Sequence, residues 1–140
     1  MKFSYIQLSF LVSLIATAGS LYFGEVLKYP PCTLCWYQRI CMYPLVVILG
    51  SALWNDESRF YRAALPLSTI GLLIAAYHNL LYYGIIPDSV TPCSQGVSCT
   101  SKQVEIFGFL TIPLMSLISF VLLTSLGFIA MKTTRRINEE

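Results

Sequence analysis

Charge is scarce in this sequence: Asp, Glu, Lys and Arg make up 11% of its 140 residues, and His78 is the single histidine. A soluble domain carries about 25% charged residues. So few would leave a soluble protein with an apolar surface prone to aggregation, which makes the bilayer the expected solvent. The net charge of +2 is small and scattered. No basic stripe offers phosphates a binding track, so nucleic acid is not an expected partner. Flavin, haem and dinucleotide motifs are absent, as are internal repeats, low-complexity tracts and linkers. The length fits one compact unit. What the chain does have is apolar residues, at 56% with mean hydropathy +0.66, and five cysteines.

Apolar runs at about 3–24, 40–54, 63–83 and 107–131 approach the ~20 residues that a spanning helix needs. The second is short, but extension back through Cys35-Trp36-Tyr37-Gln38-Arg39 gives a span of about 35–54. Arg39 then lies in the outer edge of the span, where its long stem can snorkel. Pro44, Pro66 and Pro113 fall in helical stretches and are expected to kink them locally. The connections are short, so the expected fold is all-α: one membrane domain over 1–140, an up-down-up-down bundle of four transmembrane helices.

Orientation follows from the basic residues. With the N-terminus inside, the inner side holds Lys2, Arg59, Arg62, Lys132, Arg135 and Arg136, and the outer side Lys28, Arg39 and Lys102. Both termini are therefore expected in the cytoplasm, with outer loops at about 25–34 and 84–106. Ala16-Thr17-Ala18 resembles a signal-peptidase site. One lysine in the n-region and apolar residues continuing to Phe23 argue against cleavage, and cleavage would leave the loops where they are.

Both close cysteine pairs fall in the outward, oxidising loops, where cysteines are expected to work as disulfides. In Pro30-Pro31-Cys32-Thr33-Leu34-Cys35 the prolines stop helix one and place Cys32 near the start of the next helix. Unpaired N–H groups and the helix dipole stabilise a thiolate there, the form that exchanges disulfides. A structural disulfide or half of a metal site are the plainer readings of C-x-x-C. The second pair, Cys93 and Cys99, encloses five residues including Gly96, which permits a tight loop. Nothing apolar anchors the segment between Asp88 and Lys102. The loop looks suited to presenting a disulfide to a partner, and a structural staple is its plainer reading.

Arg39 lies one helical turn beyond Cys35 on the same face. Its guanidinium can support a thiolate and a reduced, anionic cofactor headgroup, or anchor a phospholipid. His78 can donate to a cofactor carbonyl, move protons, or simply pack. Cys41 sits inside the second span and reads as a buried, inert thiol. Tyr22, Tyr29, Trp36, Tyr37, Tyr43, Tyr77, Tyr82, Tyr83, Phe107 and Phe109 cluster toward the outer side as an interfacial belt. Some of them can wall a flat-ring cofactor.

Two disulfide-capable pairs on one face permit a relay, but thiol exchange alone only moves disulfides around. Net oxidation needs a terminal acceptor, and a lipid quinone, ubiquinone or menaquinone, requires no soluble-cofactor motif. Pro31-Cys32-Thr33-Leu34-Cys35-Trp36-Tyr37-Gln38-Arg39, the Cys93/Cys99 pair and Phe107-Gly108 with Pro113 at the start of helix four resemble the disulfide bond formation protein B (DsbB) family, especially its short BdbC-type members. The resemblance covers nearly the whole chain, and C-x-x-C with arginine four residues on is its most specific part.

That resemblance implies a protein of the bacterial plasma membrane that reoxidises an extracytoplasmic thioredoxin-like thiol oxidase and passes electrons to the membrane quinone pool. It implies that Cys93 takes the mixed disulfide, that Cys99 exchanges with Cys32, and that Cys35 is left as the thiolate facing the quinone. Arg39 corresponds to the family's quinone-contacting arginine, and His78 loosely to its third-helix histidine. The outer second loop is shorter than in longer relatives, and Cys41 matches no family role. Vitamin K epoxide reductase-like proteins are close neighbours whose C-x-x-C comes late in the chain. The alternative class is a soft-metal ion carrier using the paired cysteines. The outward position of both pairs, and no expected ligand cluster around His78, speak against it. A scaffold with two staples would leave Arg39 beside Cys35 unexplained.

Overall fold

A computed structural model describes residues 2–55, 59–90, 93, 98–100, 105–106 and 110–139. Four helices dominate: α1 (Lys2–Leu21), α2 (Thr33–Asn55), α3 (Arg59–Tyr82) and α4 (Ile112–Glu139). Each packs on its neighbours in sequence, and α1 closes the ring against α4. The result is the expected four-helix membrane bundle. Its core gathers Ile6 of α1, Cys41, Leu45 and Leu49 of α2, Ala64 and Ala75 of α3, and Phe120 and Leu123 of α4.

The outward surface is apolar, with Ile15, Ile40, Val47, Leu73 and Phe128 all more than half exposed. Residues so placed need a lipid solvent. Segments Tyr5–Val26, Arg62–Tyr82 and Ile112–Thr133 are long and apolar enough to cross a bilayer. Helix α2 dilutes its hydropathy with Gln38 and Arg39. At 23 residues it still reaches about 35 Å, the height of its neighbours.

Close approach between helices depends on small and hydroxyl side chains, as membrane bundles require. Ser9 and Ser13 are fully buried on α1. Gly71 of α3 lies so near Phe120 of α4 that a Cβ there would enter the ring. Thr124 donates to Ser68 across the same interface at 3.3 Å. Asn79 donates to the carbonyls of Ala75 and Pro113, each at 2.8 Å, and so fixes the start of α4 against α3.

The helix ends have legible causes. Gly84, at φ 71°, ends α3 in the left-handed conformation, with Ile85 N–H returning to Leu80 O at 3.0 Å. Helix α1 runs into a π turn at Tyr22–Val26, and Lys28 at φ 57° ends it. The fourth helix departs from expectation: it begins at Ile112, not at Phe107. Strand β1 (Glu105–Ile106) pairs antiparallel with β2 (Leu110–Thr111). Thr111 then caps the helix, its Oγ1 accepting the Leu114 N–H at 3.4 Å. Pro113 sits in the first turn, where its missing N–H has no intrahelical partner to lose. Pro44 and Pro66 lie inside α2 and α3 as expected. Pro92, Gly96, Lys102, Phe107, Gly108 and Phe109 lie outside the described residues.

Candidate functional site

Cys32 immediately precedes α2 and acts as its N-terminal cap. Its carbonyl takes the first helical hydrogen bond, from Trp36 N–H at 3.1 Å, and its Sγ accepts the Cys35 N–H at 3.3 Å. A sulfur here occupies the role of a capping oxygen, so helix formation itself stabilises negative charge on it. One turn on, Cys35 brings its Sγ to 2.8 Å from that of Cys32, both cysteines being free. Cys32 lies outside the spanning helices, and its thiol is held well below the ordinary value of 9.0. The Cys35 side-chain hydrogen bond is the largest cause. Burial opposes it, and the His78 ring and the Cys35 N–H add to the lowering.

Cys93 and Cys99 form a disulfide with Cα atoms 5.9 Å apart. The loop's two cysteines are more firmly seated than the sequence led us to expect. Cys99 is 3% exposed and packs in one cluster with Cys32, Leu34 and Leu81, against which Cys35, Tyr77, Ile86 and Cys93 also lie. Tyr77 adds a tether, its hydroxyl donating to Val90 O at 3.1 Å. The apolar anchor missing from the linear sequence is the disulfide itself. Cys93 stays partly accessible, so the four cysteines form one unit with an outer sulfur and a buried one in the loop pair.

His78, 2% exposed, joins the two pairs. The Gln38 side-chain amide nitrogen lies 3.1 Å from Nδ1 and donates to it. That leaves the hydrogen on Nε2, which donates to Cys99 O at 3.2 Å and faces Cys32 Sγ at 3.8 Å. Buried polar groups require such partners. Gln38, itself buried, was not singled out from sequence, since a glutamine beside Arg39 reads as an ordinary membrane-edge residue.

On the other side of Cys35 a cavity of about 420 Å³ opens between α1, α2 and α4. Its walls include Val12, Phe23, Tyr29, Met42, Met115 and Phe120, with Cys35, Gln38 and Arg39 as the polar edge. His78 lies outside this lining. Arg39 donates from Nη2 to Ser20 O at 3.0 Å, a carbonyl just before the α1 ladder changes to π. Irregular turns of this kind recur at functional sites. The guanidinium also lies over the Trp36 ring at 5.6 Å, and it passes so close to Gly24 that a Cβ there would meet Nη2 at 2.7 Å. Gly24 thus makes room for Arg39.

Cys41 is buried in the bundle core, away from both pairs. Trp36, Tyr37, Tyr22 and Tyr83 are exposed at the end of the bundle that carries the paired cysteines, as a belt requires, whereas Tyr29 faces the cavity and Tyr43 packs on the core.

Chemically, the site offers an activated sulfur at Cys32, a partner sulfur within bonding reach, a loop disulfide packed against them, and an apolar cavity beside Cys35 with one fixed cation. Comparison with known proteins identifies a family. The family model described as disulfide bond formation protein DsbB matches residues 4–130. Disulfide bond formation protein C of Bacillus subtilis is 44% identical over 119 residues, covering 85% of this chain and 86% of its own. A probable disulfide formation protein of Metapseudomonas resinovorans is 39% identical over 135 residues, covering 96% and 94%. A probable disulfide formation protein C of Bacillus anthracis is 42% identical over 120 residues, covering 86% of each chain. No solved structure matches. With a family model spanning most of its length and relatives of this similarity, the chain belongs to the DsbB family of disulfide bond formation proteins.

Proposed function

We propose that this membrane thiol–disulfide oxidoreductase draws electrons from an extracytoplasmic thioredoxin-like dithiol and delivers them to a membrane quinone. The observation that carries this reading is Cys35's position, with its sulfur 2.8 Å from Cys32 on one side and the cavity that also holds Arg39 on the other. The residues present suit a quinone. Apolar walls from α1 and α4 match a prenylated ring, and Arg39 and Gln38 supply donors for ring oxygens. A bound quinone would supply a two-electron acceptor, so that the disulfides made here are net oxidised and not merely exchanged.

The chain's own residues perform the thiol chemistry. A partner thiolate attacks the accessible Cys93, the Cys93–Cys99 bond breaks, and the electron pair leaves on Cys99. Attack by the Cys99 thiolate on an oxidised Cys32–Cys35 pair then forms a Cys99–Cys32 bond and releases Cys35 as thiolate beside Arg39. A second partner thiolate attacks Cys93's mixed disulfide and frees the partner in its oxidised form. His78, fixed by Gln38, holds the Cys99 backbone against Cys32 during these exchanges. The excess of basic residues at one set of helix ends supports a bacterial plasma-membrane protein with both termini on the cytoplasmic side and the thiols outside.

Trapping tests the order. Cys99→Ser should accumulate a mixed disulfide between Cys93 and a thioredoxin-like partner, visible on non-reducing gels. Accumulation through Cys32 instead, in a Cys93→Ser protein, would refute it.

A further inference from the structure

Three soft donors meet at one point although sequence separates them widely. Cys32 Sγ, Cys35 Sγ and a ring nitrogen of His78 all lie within 4.8 Å of one another. The sequence had offered no ligand cluster around His78, because the two cysteines precede it by more than forty residues. We propose that the reduced protein binds a thiophilic divalent cation of the zinc type through Cys32, Cys35 and His78, and that occupancy blocks the redox pair.

The geometry supports this at two levels. Bond lengths of about 2.3 Å to sulfur and 2.0 Å to nitrogen place neighbouring ligands of a tetrahedral site roughly 3.5–3.8 Å apart. Cys32 Sγ and His78 Nε2 already stand at 3.8 Å. The two sulfurs, at 2.8 Å, need only side-chain rotation to separate. The outer shell is also in place. The Cys35 N–H at 3.3 Å supports charge on Cys32 Sγ. The Gln38 amide lies against Nδ1 at 3.1 Å. Turned by half a rotation, that amide presents its oxygen to an Nδ1–H, which frees the Nε2 lone pair for a cation and fixes the ring. Cys35 also lines the cavity, from which a water can complete the coordination.

The step balances without an oxidant. Two Sγ–metal bonds and one Nε2–metal bond form, the proton remaining on the Cys32–Cys35 pair leaves to solvent, and no atom changes oxidation state. A Cys32–Cys35 disulfide has no thiolate to offer, so cation binding and disulfide formation exclude each other. Metal excess outside the cell would thereby halt the relay, and a chelator would release it.

The test needs neither quinone nor partner, so it stands apart from the electron-transfer reading. Reduced Cys93→Ser/Cys99→Ser protein in detergent is titrated anaerobically with cadmium chloride, following sulfur-to-cadmium absorption and the cadmium NMR shift. Saturation at one equivalent, displacement by zinc, a shift characteristic of two sulfurs and one nitrogen, and at least tenfold weaker binding by His78→Ala are expected. The same protein oxidised to the Cys32–Cys35 disulfide should give no signal, a comparison that does not depend on the His78→Ala variant folding. Unchanged absorption after oxidation, an NMR shift lacking nitrogen, or wild-type affinity in His78→Ala would overturn the proposal.

Discussion

Reduced protein treated with iodoacetamide should label at Cys32 with a rate that hardly changes between about pH 6 and pH 7.5, since only the thiolate reacts. An ordinary thiol at 9.0 is ionised to ~0.1% at the lower pH and ~3% at the higher, so its rate rises about 30-fold. Cys32 is different because three donors converge on its sulfur: the Cys35 thiol at 2.8 Å, the Cys35 N–H at 3.3 Å and His78 at 3.8 Å. Together they outweigh burial, and any value below about 5 keeps it ionised at both pH values, giving less than twofold change. The sign for stability follows. A folded value depressed below the unfolded one stabilises the reduced fold fully above the ordinary thiol range, and that stability is lost as pH falls toward the lowered value. Peptide mapping by mass spectrometry separates Cys32 from Cys35 and Cys41. Replacing His78 with Phe should restore part of the pH slope, because Cys35 remains the larger cause. A tenfold rise per pH unit in the unmodified protein would refute the reasoning.

Other perturbations separate the parts of the site. Gly24→Ala, which puts a methyl 2.7 Å from Arg39 Nη2, should raise the KM for a quinone analogue several-fold while Cys93-to-partner trapping proceeds at its usual rate. Gly71→Val drives side-chain atoms into Phe120 and should cost about 1–3 kcal/mol, read as a lower unfolding midpoint in detergent. Asn79→Leu leaves the Pro113 carbonyl without its α3 donor. It should cost a similar ~1–3 kcal/mol, and hydrogen exchange should rise most in the first turn of α4.

Local features were legible in the sequence because their causes are local. Pro30-Pro31 ahead of Cys32 announces a helix start, and the structure makes Cys32 the cap of α2. Spacing of four along a helix put Arg39 on the Cys35 face, and both line one cavity. Cys41 in mid-span is buried in the core. Long-range features were not legible. His78 meets Cys32 across 46 residues only because α3 packs on α2, and no periodicity encodes which face of α3 that contact uses. Gln38 gains its meaning from His78 alone. Apolar continuity carried the expected fourth span back to Phe107, whereas Thr111 and the β1–β2 pairing decide where helix geometry begins. The loop looked unanchored because its anchor, Cys99, becomes an apolar contact only once folded against Leu81.

Anaerobic mixing of the purified protein with a reduced thioredoxin-like partner and a soluble quinone analogue, following quinone absorbance, tests the central claim most directly. Stoichiometric quinol formation by the unmodified protein, abolished in Cys35→Ser and in Cys93→Ser, is the predicted result. No quinone consumption with ubiquinone- and menaquinone-type analogues and several partners would contradict the account.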